Sequence, residues 1–188
     1  PWFAKALSLV EDNPREEQLH RFRLAAVLSQ CPKVVQMVLH PWEASAAEFS
    51  PDGLKVLSSS GPESLAHLWD AATGLPTVPP LTCTNYAAAA FSRDGRRVVT
   101  ANISSAQVWD ALTGQPTAPP MTQSNFLNSV AFSPDGRYVA TSSADQSARV
   151  WDALSGAPAG PPLKHSGWAT YASLSPNGPF AVTASWDN

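Results

Sequence analysis

His165, Thr183 and Asp187 supply an imidazole, a hydroxyl and a carboxylate within one short stretch. Nucleophilic catalysis on a hydroxyl needs a base beside it and an acid that orients the base, so this trio has the composition of a hydrolase site. Its spacing argues for another role. His165 precedes Thr183 by 18 residues, and the same interval separates His40 from Ser58, Thr82 from Thr100 and Gln123 from Thr141. A pairing that returns once in every segment, even where the histidine is lost, is expected to be a buried structural network. Substituting His165 or Thr183 is then expected to lower stability without touching any turnover. The positions assigned to the network are His40, Ser58, Trp69, Thr100, Trp109, Thr141, Asp145, Trp151, His165, Thr183 and Asp187. No residue is assigned a catalytic role.

Other chemistry finds less support. His20 and His67 are isolated, and Cys31 and Cys83 fit neither a metal-ligand spacing nor a disulfide scaffold, so no metal or cofactor is expected. A reducing compartment, the cytoplasm, is the expectation from that cysteine usage. No glycine-rich phosphate loop with its lysine and following helix occurs. The 12 Lys+Arg against 15 Asp+Glu give a formal charge of −3, which argues against nucleic acid as partner. No apolar run reaches the length of a membrane-spanning helix.

The elements that position these residues follow from a repeat. Phe49-Ser50-Pro51-Asp52-Gly53 returns at Phe91–Gly95, Phe132–Gly136 and Leu174–Gly178, at intervals of 42, 41 and 42 residues. Trp-Asp recurs in phase at Trp69-Asp70, Trp109-Asp110 and Trp151-Asp152, each followed by Gly74, Gly114 or Gly156 and then by Pro-Pro. In the third unit Ser129–Phe132 reads as a strand and Pro134-Asp135-Gly136 as a turn, with Tyr138–Thr141 as the returning strand. Ala148–Trp151 is the third strand, and a proline-rich fourth strand is expected to end at Pro161-Pro162-Leu163. Proline cannot donate to a ladder, so such a strand belongs at a sheet edge. The 18 prolines and the low charged fraction of 14% are thereby explained as recurring turns and outer strands.

A period of about 40–45 residues closed by Trp-Asp resembles the WD-repeat β-propeller family, with one four-stranded blade per repeat. The resemblance runs from about residue 33 to the end of the sequence. It implies an all-β fold of about three and a half antiparallel blades, with units at about 40–81, 82–122, 123–164 and 165–188. It also implies a His, Ser/Thr, Asp and Trp network in each blade. Glu63 stands where an aspartate is expected, and the second unit has no acid in its Ser104-Ser105 turn, so the first two networks are expected to be the weaker ones. In this family the loops leading into the first strand and those between the second and third strands share one face. Trp42, Tyr86, Phe126 and Trp168 fall on the former and are candidate partner-binding residues, and Arg149 of the third strand is a second candidate.

Residues 1–32 differ. Trp2, Phe3, Ala6, Leu7, Leu9 and Val10 give an apolar helix face, and Asn13-Pro14 with Glu16 and Glu17 reads as the start of a second helix that ends at Cys31-Pro32. The first stretch resembles the closing part of a tetratricopeptide-type helix. Lys33–Leu39 reads as an outer strand laid down before the first full unit. The unit consensus, with Arg21–Leu24 and Cys31-Pro32, resembles bacterial, planctomycete-like multi-repeat chains, some of which begin with a serine/threonine kinase domain. The expectation is a piece of a larger protein acting as a non-catalytic scaffold for protein partners. The alternative is the regulatory region of such a kinase.

Overall fold

A computed structural model describes residues 44–60, 65–82, 88–176 and 180–187, all within one compact unit spanning Gln36–Asn188. The expected helical segment, the strand at Lys33–Leu39 and the residues His40, Trp42, Glu63 and Tyr86 lie outside the described residues.

The first unit is a sheet of β1 (Ala44–Phe49), β2 (Lys55–Ser60), β3 (Leu65–Asp70) and β4 (Leu81–Thr82), hydrogen-bonded in that order. The second repeats it with β5 (Ala89–Phe91), β6 (Arg97–Ala101), β7 (Ser105–Asp110) and β8 (Met121–Thr122). The third does so with β9 (Leu127–Phe132), β10 (Tyr138–Ser143), β11 (Ser147–Asp152) and β12 (Leu163–Lys164). The fourth consists of β13 (Ala169–Leu174) paired with β14 (Ala181–Ser185). Every pairing is antiparallel, and the described residues contain no helix.

The turns show why the motif residues recur. Ser50 Oγ donates to Asp52 Oδ1 at 2.6 Å, while the same carboxylate oxygen accepts the Leu54 N–H at 3.0 Å. Gly53 carries φ of 71°, which a residue with a Cβ adopts only at a cost. Ser92 with Asp94 and Ser133 with Asp135 repeat this turn. The aspartate of Trp-Asp is also a turn residue. Asp70 Oδ1 accepts the Thr73 backbone N–H at 2.8 Å and its hydroxyl at 2.9 Å, and Asp110 and Asp152 do likewise.

The fourth strand is shorter than the sequence predicts. Pro79-Pro80, Pro119-Pro120 and Pro161-Pro162 each precede a ladder of two residues, because neither proline has an N–H to contribute. The earlier prolines Pro76, Pro116 and Pro158 form isolated bridges to Trp69, Trp109 and Trp151.

Successive sheets pack face to face. Leu57, Val98, Val99, Val108, Met121 and Val139 are buried in one continuous core, and Ala140, Ala148, Ala169 and Ala172 form a second cluster between the third and fourth units. Polar ties reinforce the stacking: Arg97 Nη2 donates to Gly136 O at 2.8 Å and its guanidinium lies 5.6 Å from the Phe132 ring centroid. Ser129 Oγ accepts the Ala172 N–H at 3.1 Å.

Candidate functional site

Strand register places each tryptophan against a hydroxyl. Trp151 pairs with Val139 across the β10–β11 ladder, so Thr141, two residues on, is its diagonal neighbour on the same face. Trp151 Nε1 donates to Thr141 Oγ1 at 2.8 Å. The same bond joins Trp109 to Thr100 at 2.9 Å and Trp69 to Ser58 at 2.7 Å. A hydroxyl that accepts from indole keeps its own proton for a second partner. Thr141 donates it to Gln123 Oε1, and Thr100 to the Thr82 carbonyl at 3.3 Å.

In the third unit the chain of bonds continues. Gln123 Nε2 lies 3.2 Å from Ser147 Oγ and 3.4 Å from Asp145 Oδ1, and Ser147 Oγ donates to Asp145 Oδ1 at 2.6 Å. Asp145 Oδ2 accepts the Ser124 N–H at 3.2 Å. Burial pushes the Asp145 carboxyl up, but the bonds from the Ser147 hydroxyl and the Ser124 and Ser147 N–H groups outweigh it and hold the group below the ordinary carboxylate range.

The fourth unit has the same layout with a histidine. His165 Nε2 is 3.0 Å from Thr183 Oγ1, and His165 Nδ1 is 3.3 Å from Asp187 Oδ2, which also accepts the Ser166 N–H at 3.0 Å. With Nδ1–H directed at the carboxylate, Nε2 is the acceptor for the Thr183 hydroxyl. Hydrogen bonds from the Ser185 hydroxyl and the Ser166 N–H pull the Asp187 carboxyl down to about 2. The geometry is that of a hydroxyl–imidazole–carboxylate set, yet Gln123 occupies the corresponding station in the third unit and makes the corresponding contacts. An amide cannot serve as a general base. What the two stations share is the fastening of the loop leading into the first strand: Asp145 holds Ser124, and Asp187 holds Ser166.

Those loops carry the candidate aromatics. Phe126 is 51% exposed and Trp168 50% exposed. Phe126 O accepts the Ala144 N–H at 2.8 Å and Trp168 O the Trp186 N–H at 3.0 Å, so each loop is tied to the turn that follows the second strand. Because β9 begins where β10 ends, both loop types lie at one end of the sheets. Trp186, 73% exposed, stacks on Trp168 with centroids 5.5 Å apart, and Ile103 of the second unit, whose carbonyl accepts the Leu127 N–H, is 44% exposed at the same end.

Arg149 stands directly across from Thr141 and is half-buried, its guanidinium 5.8 Å from the Trp151 ring centroid. His67 holds the equivalent position and stacks on Trp69 at 5.3 Å, and Gln107 donates there to the Ala118 carbonyl at 2.6 Å. Arg149 is thus part of the layer beneath the tryptophan and does not join the aromatic group around Trp168. The contributions of Ser147, Ile103 and Trp186 escape sequence reading. Ser147 lies just two residues after Asp145, which is the one signal that points to it. Trp186 carries the Trp-Asp dipeptide but falls in a different part of the unit.

Comparison with known proteins agrees with this geometry. Residues 119–152 match the WD40 family, described as "WD domain, G-beta repeat", and cover most of the third unit. A search of curated proteins finds no match. Among solved structures, the chain is similar to the crystal structure of the computationally designed Ika4 protein, with a TM-score of 0.71 at 22% identity, over 84% of this chain and 94% of that one. At that identity the likeness speaks for the fold alone. The third-unit match and the shared fold together support a WD-repeat propeller architecture for the described residues.

Proposed function

We propose that this chain is a non-catalytic scaffold that binds protein partners through the end of the sheets carrying Ile103, Phe126, Trp168 and Trp186. The observation that carries this reading is the exposure of these four large apolar side chains at one end of the sheets, with Phe126 and Trp168 on loops fastened by the Asp145 and Asp187 networks. Aromatic side chains presented by a rigid support lose little freedom on binding, and they are the residue types enriched in interface hot spots. The matching ligand is a protein segment with aliphatic or aromatic anchors. The cytoplasm is the proposed compartment, on cysteine usage alone. The kinase association rests on the resemblance of residues that lie outside the described ones and adds nothing to the proposal.

Panning a displayed peptide library on the purified chain tests the reading. Selected binders are expected to weaken at least tenfold on Trp168→Ala or Phe126→Ala, with the melting temperature unchanged. Leu112→Ala and Leu154→Ala, exposed in turns at the opposite end, are expected to leave binding intact. Binders that respond to the leucines and ignore the aromatics would assign the partner to the other end.

A further inference from the structure

Arg149 brings a positive charge into the seam between the second and third units, two units whose four strands are all among the described residues. Strand alternation puts it on the face of β11 that carries Trp151, and Trp151 is buried in the core that also holds Val99, Val108 and Met121 of the second unit. The opposite face of β11, with Ala148, packs on β13 instead. The guanidinium has no acceptor in this seam. Its Nε is buried without a hydrogen bond, and among the described residues the group makes no ion pair; what it touches is the Trp151 ring, 5.8 Å to the centroid. The acids flanking it in sequence, Asp145 and Asp152, are spent on the Ser147 and Ser155 hydroxyls.

The second unit shows how this station is satisfied when its residue serves its own sheet. Gln107 stands across from Thr100 as Arg149 stands across from Thr141, and it donates to the Ala118 carbonyl at 2.6 Å and the Val108 carbonyl at 3.1 Å. Arg149 bonds neither of the corresponding carbonyls, Gly160 and Val150. A guanidinium stripped of water on its inner edge and left unneutralised gains more from an anion than a fully solvated one does, and its terminal amino groups form a planar fork that fits two oxygens. The wall of the seam decides what carries that anion. The outer segment of the second unit comes up against β11 and the turn after it, where a Cβ on Gly156 would lie 2.5 Å from the Pro119 carbonyl oxygen. Pro119 and Pro120 are exposed and have no N–H, so a free phosphate would gain no further donor from them. A protein segment would find the fork for an acidic side chain and the proline rings for its neighbours.

We propose that the seam between the second and third units binds a protein segment through an aspartate or glutamate, held end-on by Arg149, with flanking apolar residues of that segment lying on Pro119 and Pro120. This surface lies along the side of the sheets and shares no residue with the aromatic end, so either can fail without the other.

A displayed library of peptides built around one fixed glutamate, panned on the whole chain, tests the proposal, each selected peptide being remade with glutamine at that position. The wild type is expected to bind the glutamate form at least tenfold more tightly at low salt, with the margin shrinking as salt is added. Arg149→Gln matches the residue that the second unit has at this station, and it is expected to remove the margin while circular dichroism and melting temperature confirm folding. Arg149→Lys, charged but without the fork, is expected to keep only part of the margin. Trp168→Ala and Phe126→Ala are expected to leave it intact. A library that yields no glutamate-dependent binder would overturn the proposal. So would a margin that survives Arg149→Gln, or one that is lost on Trp168→Ala. Arg149→Met repeats the test should the glutamine variant fail the folding control.

Discussion

Trp151 Nε1 donates to Thr141 Oγ1, and the same hydroxyl gives its proton to Gln123, so one buried oxygen joins the third strand of its unit to the loop that opens it. Thr141→Val keeps the shape and removes the oxygen, which leaves a buried indole N–H and a buried amide carbonyl without their partner. An unsatisfied buried polar group costs about 1–3 kcal/mol, and in a domain of this size each kcal/mol moves the melting temperature by roughly 2–4 °C. Thr141→Val is therefore expected to lower the melting temperature by about 3–10 °C in scanning calorimetry. An unchanged transition would mean that water replaces the hydroxyl.

His165→Gln is expected to be nearly neutral. Gln123 already shows that an amide at this station accepts from the threonine and reaches the acid two turns on. A change within about 0.5 kcal/mol is expected, the range of substitutions that break no buried network. His165→Ala leaves the Thr183 hydroxyl and Asp187 without their common partner and should cost more. If glutamine and alanine proved equally damaging, the equivalence of the two stations would be wrong.

Much of this was legible in the sequence because it is written as a repeat. The interval from His165 to Thr183, kept between Gln123 and Thr141, locates the network without any coordinates, and Phe132–Gly136 locates its hairpin. The strands that pair along their whole length, such as β10 with β11, follow from alternation and bounding turns. What escaped depends on contacts that have no periodic signature. The length of β12 is set by where Pro161-Pro162 stop interfering, and Trp186 reaches Trp168 only because a turn brings the two rings together. Phe49 and Phe91 are the same residue at the same phase, and nothing local says that one is covered and the other bare.

Gly156→Ala and Gly53→Ala separate backbone strain from crowding. Both glycines have φ near 70°, at 67° and 71°, and a left-handed conformation costs a residue with a Cβ roughly 1–2 kcal/mol. A Cβ on Gly53 would meet nothing, whereas one on Gly156 would lie 2.5 Å from the Pro119 carbonyl oxygen of the preceding unit. Urea unfolding is expected to show the Gly53 variant destabilised by the strain alone and the Gly156 variant by clearly more. Equal losses would mean that the two units part without cost at this point.

Acid is expected to loosen the binding face before it unfolds the sheets. Asp187 is pulled from an ordinary 3.8 to about 2, mainly by the Ser185 hydroxyl and the Ser166 N–H, and Asp145 is lowered by its own set of donors. A carboxylate whose folded value is depressed binds fewer protons in the folded chain than in the unfolded one. Its stabilising effect is complete above the unfolded value and fades as pH falls through the folded one. For Asp187 the window runs from about 3.8 down to about 2. Since this carboxylate holds Ser166, and through it the loop bearing Trp168, indole fluorescence should change over that window. Asp187→Asn is expected to abolish the part of the fluorescence change that belongs to this loop while the far-ultraviolet dichroism still reports intact strands. Fluorescence and dichroism that move together in the wild type would show that the loop is not fastened independently of the sheets.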